Sequence, residues 1–131
     1  YERIYSCYKN KIEDVRDSGG RNIFAKHGIG LDVNFEDFVR RIATLPDHKS
    51  DRHFRSQAWF LTYAGMIMPS FVGKLEHMDN DWEILQERFG IAPPPQVNVS
   101  SPKTFSDMDD ETKELIFIRY ADDFRLFGYE K

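Results

Sequence analysis

Apolar residues recur at helical spacing in four stretches of this 131-residue chain, and that pattern limits the possible folds. In the first stretch they form one face of a helix with 3.6 residues per turn, comprising Ile4, Tyr8, Ile12 and Val15. Only one or two short segments are candidates for strands, and a lone strand is not stable. The sequence therefore predicts an α/β fold whose sheet lies mostly elsewhere, with an otherwise largely helical chain as the alternative.

Capping residues and glycines mark where the first two predicted helices begin and end. The first should run from Tyr1 to Val15 or Arg16 and stop at Asp17-Ser18-Gly19-Gly20. The second follows Asn34, a good N-cap, and ends before Pro46. Its apolar residues at i, i+3, i+4 and i+7 are Phe35, Phe38, Val39 and Ile42.

The other two helices are predicted in the second half of the chain. Asn80 and Glu83 form a capping-box pattern, and Gly90 takes the position beyond the C-terminus that favours glycine. The buried stripe of this helix should comprise Trp82, Leu85 and Phe89. The last helix ends at Gly128, and its start carries the favourable acidic residues Asp107, Asp109, Asp110 and Glu111. It should be lined by Leu115, Phe117, Ile118, Ala121 and Phe124.

The signals for strands and loops are weaker. Alternating side chains make 71–76 the best strand candidate, and the apolar stretch 58–63 predicts a short buried strand or one helical turn. Polar or irregular sequence predicts loops over 21–32 and 47–57. The proline-rich stretch 93–104 is expected to be an extended connection.

Composition excludes several classes of function. The formal net charge is −4, so general nucleic-acid binding is not expected. Cys7 is the single cysteine, which excludes an internal disulfide bond. No apolar run approaches the ~18 residues that cross a membrane, so this segment is not expected to contact one. Four irregularly spaced histidines predict no metal site, namely His27, His48, His53 and His77.

Arg3 and Ser6 share a face of the first predicted helix, one turn apart and near its start. Arginine offers a rigid fork of donors, serine adds a hydroxyl, and the helix N-terminus contributes free N–H groups. The arrangement suits an anion. The alternative is an ordinary solvated helix face.

The same stretch resembles a segment of a known family. Its pattern Y-x-R-x-x-S-x-Y-x-N-K is similar to the 3′-phosphate-binding segment of the Golgi-type carbohydrate sulfotransferases. Two later stretches, 71–91 and 120–129, resemble the "vGklE" segment and the terminal "Y-x-x-D-F-x-x-F-G-Y" of these enzymes. His53-Phe54-Arg55-Ser56-Gln57 resembles their H-[FW]-x-P-Q element, with Ser56 where proline is usual.

The resemblance implies a P-loop-like sulfotransferase fold and a defined reaction. The donor would be 3′-phosphoadenosine 5′-phosphosulfate, whose sulfuryl group moves to a hydroxyl or amino group of a carbohydrate acceptor. Arg3 and Ser6 would be the 3′-phosphate ligands. The chain contains no G-x-x-x-x-G-K-[ST] or similar loop for the phosphosulfate. Residues 1–131 are therefore expected to be the C-terminal part of a single sulfotransferase domain, inactive and poorly stable by itself.

The acceptor side is less defined. His53, Arg55 and Gln57 are expected to line the acceptor cleft. The general base is not identified, since in this family it usually lies upstream; His53 is a candidate, and Glu76 is an alternative to it. The alternative for His53 is an exposed loop histidine. The compartment would be the Golgi lumen, with a membrane anchor, if the protein is eukaryotic, and the cytoplasm if it is bacterial. The alternative function is a non-catalytic, mainly helical protein-interaction domain. The sequence does not indicate an oligomeric state.

Overall fold

The computed structural model describes residues 1–92 and 108–131. Over these residues the chain is mostly helical, with one small two-stranded sheet, which fits an α/β fold. The helices are α1 (Glu2–Tyr8), α2 (Asp14–Ser18), α3 (Phe35–Ala43), α4 (Gln57–Leu61), α5 (Met78–Phe89), α6 (Asp110–Arg119) and α7 (Ala121–Phe127). The strands are β1 (Thr62–Tyr63) and β2 (Met66–Ile67). Short 3₁₀ turns lie at Ala25–His27, Asp47–Lys49 and Leu75–His77.

The first predicted helix is confirmed, with one change. A π-helical stretch, Lys9–Glu13, joins α1 to α2, so the chain stays helical from Glu2 to Ser18. It ends at Gly19, whose φ of 68° is left-handed and favours glycine. Ile4, Tyr8 and Ile12 are buried as the spacing predicts.

The core lies between α1, α3 and α6. The predicted second helix is confirmed as α3: Asn34 accepts a hydrogen bond of 2.8 Å from the backbone N–H of Asp37. All four of its predicted apolar residues are buried. The α3 helix packs against α6 and against α1. Three fully buried rings, Phe24, Phe38 and Phe54, contact one another and tie the loops 21–32 and 47–57 to this core.

The predicted strand over 71–76 is wrong. The backbone N–H of Lys74 donates instead to the Asp81 carboxylate at 2.7 Å, and Leu75–His77 forms a 3₁₀ turn that leads into α5. Alternation predicts a strand only where a partner is available, and no strand of the described residues pairs with this segment. The two-stranded sheet is a hairpin, in which β1 lies at the end of the apolar stretch 58–63 and β2 follows that stretch. Its turn residues Ala64 and Gly65 both have positive φ, as type I′ turns require.

The third predicted helix is confirmed, but the predictions of its first residue and of its buried stripe are partly wrong. The α5 helix begins at Met78, so Asn80 lies inside its first turn and caps nothing. Trp82 and Leu85 are half-buried, whereas Phe89 is 62% exposed. The core lies elsewhere, and the stripe therefore has little to pack against. Gly90 does end the helix in the left-handed conformation.

The last predicted helix is two helices, α6 and α7, with Tyr120 between them. Asp109 caps α6 by accepting from the Thr112 N–H at 2.7 Å. The lining is wrong at two residues, because Ile118 is 63% exposed and Ala121 is exposed too, while Ile116 is buried instead. Gly128 ends α7 as predicted. The predicted connection 93–104 and Asp107 lie outside the described residues.

A large apolar surface is exposed between α4 and the end of α5. None of the described residues from 59 to 92 belongs to the buried core cluster. The large apolar side chains exposed here include Trp59, Phe60, Tyr63, Met66, Ile67, Met68, Leu75, Ile84 and Phe89. In the two described ranges, no helix combines the length and the hydropathy that a membrane span needs.

The two asparagines predicted to cap helices provide a matched test. Asn34→Ala should lower the free energy of unfolding by about 1 kcal/mol, because it removes the acceptor of the Asp37 N–H. Asn80→Ala should leave stability unchanged or raise it slightly, since alanine has the higher helix propensity at an exposed position within α5. Urea unfolding of both variants measures the difference. Equal losses would contradict this assignment of the caps.

Candidate active site

Arg3 reaches from α1 towards the start of α4 and the start of α7. Its Nη2 donates to the backbone carbonyl of Arg55, and its Nη1 lies 3.9 Å from a carboxylate oxygen of Asp123. The guanidinium also lies 5.9 Å from the centre of the Tyr120 ring. The side chain keeps 34% of its surface exposed. Its Nε has no hydrogen-bond partner among the described residues, so this donor is available to a ligand.

Ser6 lies one turn further along α1, and the two side chains share a face as predicted. The Ser6 Oγ accepts from the Asn10 side-chain amide at 3.1 Å. Its hydroxyl proton has no acceptor within the described ranges. The Asn10 amide therefore orients the hydroxyl while leaving its proton free to donate.

Asp123 is the polar centre of this region, and it is 8% exposed. Its carboxylate accepts from the backbone N–H of Gln57 at 2.9 Å and of Ala58 at 2.7 Å. These are orphan donors at the start of α4, so Asp123 caps that helix from a distant part of the chain. In the sequence, Asp123 is marked only by its place in the Y-x-x-D-F pattern, because no local capping signal predicts its contact with α4.

Tyr120 makes a second connection between the same two stretches. Its hydroxyl donates to the carbonyl of Phe54 at 2.6 Å, and burial raises the pKa of this hydroxyl well above its usual value. The hydroxyl is therefore a neutral, structural donor. Residues 53–57 and 120–129, the two stretches that resemble family patterns, are far apart in sequence but meet in the structure.

Arg55 and Gln57 belong to the 53–57 stretch of this junction, and the Arg55 carbonyl is the group that Arg3 contacts. Arg55 donates to the carbonyl of Ser50 at 2.5 Å, and its guanidinium lies 5.6 Å and 5.7 Å from the ring centres of Trp59 and Phe60. Its Nε is buried and has no hydrogen-bond partner in the described part of the chain. The Gln57 side chain is exposed at the first turn of α4.

Ser56, where the family pattern has proline, builds the turn before α4 with its own polar groups. Its Oγ accepts from the Trp59 N–H at 3.1 Å, and its N–H and hydroxyl both donate to Asp47. Arg119 donates to the same carboxylate at 2.6 Å. Burial alone would raise the pKa of Asp47, but the hydrogen bonds from Arg119 and Ser56 outweigh it and lower the pKa below 3.8.

His53 faces a different set of neighbours. Its Nδ1 lies 2.6 Å from the Asp51 carboxylate, so in the neutral ring Nδ1 carries the proton and donates to Asp51, and Nε2 is left as an acceptor. Burial would raise the pKa of Asp51, but the hydrogen bonds from His53 lower it overall. His53 and Asp51 line a cavity of about 470 Å³ together with the loop after α2. Of the three predicted acceptor-side residues, His53 lines this cavity, whereas Arg55 and Gln57 do not.

Two other kinds of site find no support in the described part of the chain. No group of three or more histidine, cysteine, aspartate and glutamate side chains there is placed to hold a metal ion. Burial raises the pKa of the Cys7 thiol to about 12, so the thiol is protonated near neutral pH and is a poor nucleophile.

Comparison with known proteins places these observations in a family. The family model described as the sulfotransferase family matches residues 1–130. The chain belongs to the sulfotransferase family. No curated protein and no solved structure matches it. Membership supports a transferase that moves a sulfuryl group from a sulfate donor.

In this sulfotransferase, Asp123 and its neighbour Asp122 provide a second matched test. Asp123→Ala should lower the free energy of unfolding by about 2–3 kcal/mol, because two backbone N–H groups lose a charged acceptor in a buried place. Asp122→Ala removes an exposed surface pair with Arg125 and should cost less than about 0.5 kcal/mol. Chemical denaturation distinguishes the two. A loss in Asp123→Ala no larger than in the control would show that the cap contributes little.

The Asp47 carboxylate should make stability depend on pH. Its pKa is lower in the folded state than in the unfolded chain, so its contribution is complete above the unfolded value of 3.8 and is lost as the pH falls through the lower folded value. Denaturation across this acidic range should show a weaker pH dependence for Asp47→Asn than for the wild type. Asp14→Asn, which removes an exposed carboxylate without an ion pair in the described residues, is the control. An unchanged profile in Asp47→Asn would contradict the assignment.

Proposed function

We propose that this protein takes part in sulfuryl transfer from 3′-phosphoadenosine 5′-phosphosulfate to a hydroxyl or amino group of a carbohydrate. In this proposal it has a P-loop-like sulfotransferase fold, and α1 binds the 3′-phosphate of the donor. The observation that carries the proposal is the pair Arg3 and Ser6. In a chain of the sulfotransferase family, both present unused donors from one face of the same helix.

The available groups fit a phosphate. Arg3 offers its free Nε and its remaining guanidinium protons, and Ser6 offers a hydroxyl proton; a phosphate accepts both kinds of bond. The bond from Arg3 to the Arg55 carbonyl holds the long side chain in place, which reduces the entropy lost on binding. Asp123 carries an opposing charge nearby, but its oxygens already accept from two backbone N–H groups.

Holding the 3′-phosphate orients the donor without touching the bond that breaks. When bound, the donor supplies an activated sulfuryl group. The residues of this chain would contribute position and charge, which account for a large part of the rate in transfers of this kind.

On the acceptor side, the proposal assigns His53, Arg55 and Gln57 to the cleft. Arg55 is adjacent to the Arg3 site, because Arg3 donates to the Arg55 carbonyl, whereas His53 lines the cavity beside the loop after α2. The hydrogen bond that His53 Nδ1 donates to Asp51 leaves Nε2 of the neutral ring as an acceptor, a geometry suited to a substrate hydroxyl. His53→Gln should lower the rate in a sulfate-transfer assay. An unchanged rate would contradict this assignment.

Binding of adenosine 3′,5′-bisphosphate tests the donor site. Arg3→Ala should weaken the affinity by about tenfold to a hundredfold, as expected when a hydrogen bond to a charged group is lost. Arg3→Lys should recover only part of it, because lysine keeps the charge but not the fork. Ser6→Ala should have a smaller effect. Isothermal titration measures each affinity.

Arg16→Ala is the control, since Arg16 belongs to the same helical stretch but lies far along it at the end of α2. It should leave the affinity unchanged. Parallel unfolding experiments separate binding from folding, because Arg3 also supports the Arg55 backbone. Nucleotide affinity that is equal in Arg3→Ala and wild type would overturn the site. No affinity in the wild type would favour a non-catalytic role.

A further inference from the structure

The π-helical stretch Lys9–Glu13 interrupts the helical run from Glu2 to Ser18, and the proposed donor site gives it no role. Single π-helical turns inside α-helices are rare and frequently occur at functional sites. This one begins three residues after Ser6. Its effect on the direction of the side chains beyond it therefore bears on what surrounds Arg3 and Ser6.

The π-helical stretch changes the direction in which Lys11 points. In a continuous α-helix, residues seven apart differ in direction by only about 20°, so Lys11 would share the direction of Ile4, which is buried in the core. A π-helix has more residues per turn and rotates less per residue. The residues after Tyr8 are therefore rotated back, which moves Lys11 away from Ile4 and towards Arg3. The burial agrees, because Ile12 is fully buried whereas Lys11 is partly exposed.

Lys11 also leans along the helix towards the donor site. Side chains of a helix tilt towards its N-terminus, so Lys11 extends back over Cys7. Burial raises the pKa of the Cys7 thiol to about 12, and the charges of Arg3 and Lys11 both act on it in the opposite direction. Both cations therefore lie near the same thiol. Eight residues separate them, at most about 12 Å along the axis, so their long side chains can reach one anion between them.

The ammonium group of Lys11 has nothing in the described ranges to neutralise it. Its Nζ forms no ion pair and no hydrogen bond there, whereas Lys9 of the same stretch pairs with Glu13. Holding a charge at a partly buried position without a partner costs free energy. A phosphate would offset that cost, because the three N–H donors of the ammonium match its anionic oxygens.

We propose that Lys11 is a third ligand of the donor's 3′-phosphate, beside Arg3 and Ser6, and that the π-helical stretch positions it. The inference rests on the function proposed above. Arg3 contributes a planar fork of donors and Lys11 a point charge with rotatable donors. The two cations therefore contact different oxygens of the phosphate from the two ends of one helix face.

Two nucleotides that differ by one phosphate test this contact. Adenosine 3′,5′-bisphosphate carries the 3′-phosphate, and adenosine 5′-monophosphate lacks it. Isothermal titration gives the ratio of their affinities for the wild type, Lys11→Gln, Lys11→Arg and Lys9→Gln. The last variant is the matched control, since it removes the same charge from the same stretch, but the lysine that it replaces already pairs with Glu13.

Lys11→Gln should reduce the ratio by about tenfold, as expected when a hydrogen bond to a charged group is lost. It should leave the affinity for the monophosphate unchanged. Lys11→Arg should retain most of the ratio because it keeps the charge, and Lys9→Gln should retain all of it. Urea unfolding of Lys11→Gln should show no loss of stability, since no partner is lost. A loss of stability with an unchanged ratio would indicate a structural role and overturn the proposal.

Arg3→Ala separates this inference from the proposed function. A ratio that falls in Arg3→Ala but not in Lys11→Gln would overturn the role of Lys11 alone. An equal fall in Lys9→Gln, or an equal loss of affinity for both nucleotides in Lys11→Gln, would overturn it and indicate general charge attraction. A wild type that binds neither nucleotide would overturn the proposed donor site and this inference with it.

Discussion

The buried carboxylate of Asp123 is the interaction on which the organisation of the candidate site depends. It caps α4 through the N–H groups of Gln57 and Ala58 and lies 3.9 Å from the Arg3 guanidinium. A carboxylate in such a place needs several donors to offset its desolvation. One charge thereby joins the first helix, the turn before α4 and the last helix, and it fixes where Arg3 can reach.

The two proposed binding regions share one support. Phe54 packs in the aromatic cluster with Phe24 and Phe38, and its carbonyl accepts from Tyr120. On one side of it in sequence lies His53, in the cavity beside the loop after α2, and on the other lies Arg55, whose carbonyl binds Arg3. Rigid packing between the two regions is what a transfer reaction requires, because donor and acceptor must be held in a fixed relation.

The segment between α4 and α5 is not held by the hydrophobic core. Its apolar side chains remain outside the core cluster. Lys74 donates to the Gly128 carbonyl at 3.2 Å and lies 4.8 Å from the centre of the Tyr129 ring. These contacts bring the stretches that resemble "vGklE" and the terminal family pattern together. An exposed apolar surface of this extent is unusual for a protein surface.

The sequence by itself determined the helices and most of their ends, because periodicity, caps and C-terminal glycines are local signals, as at Asn34 and Gly128. It also placed Arg3 and Ser6 on one face. Only the tertiary structure decided that 71–76 is not a strand, that Asp123 caps a helix 65 residues away, and that His53 joins Arg21, Lys26 and Arg52. Such pairings depend on which groups distant in sequence come into contact in the folded chain, and the spacing of residues within one segment does not predict those contacts.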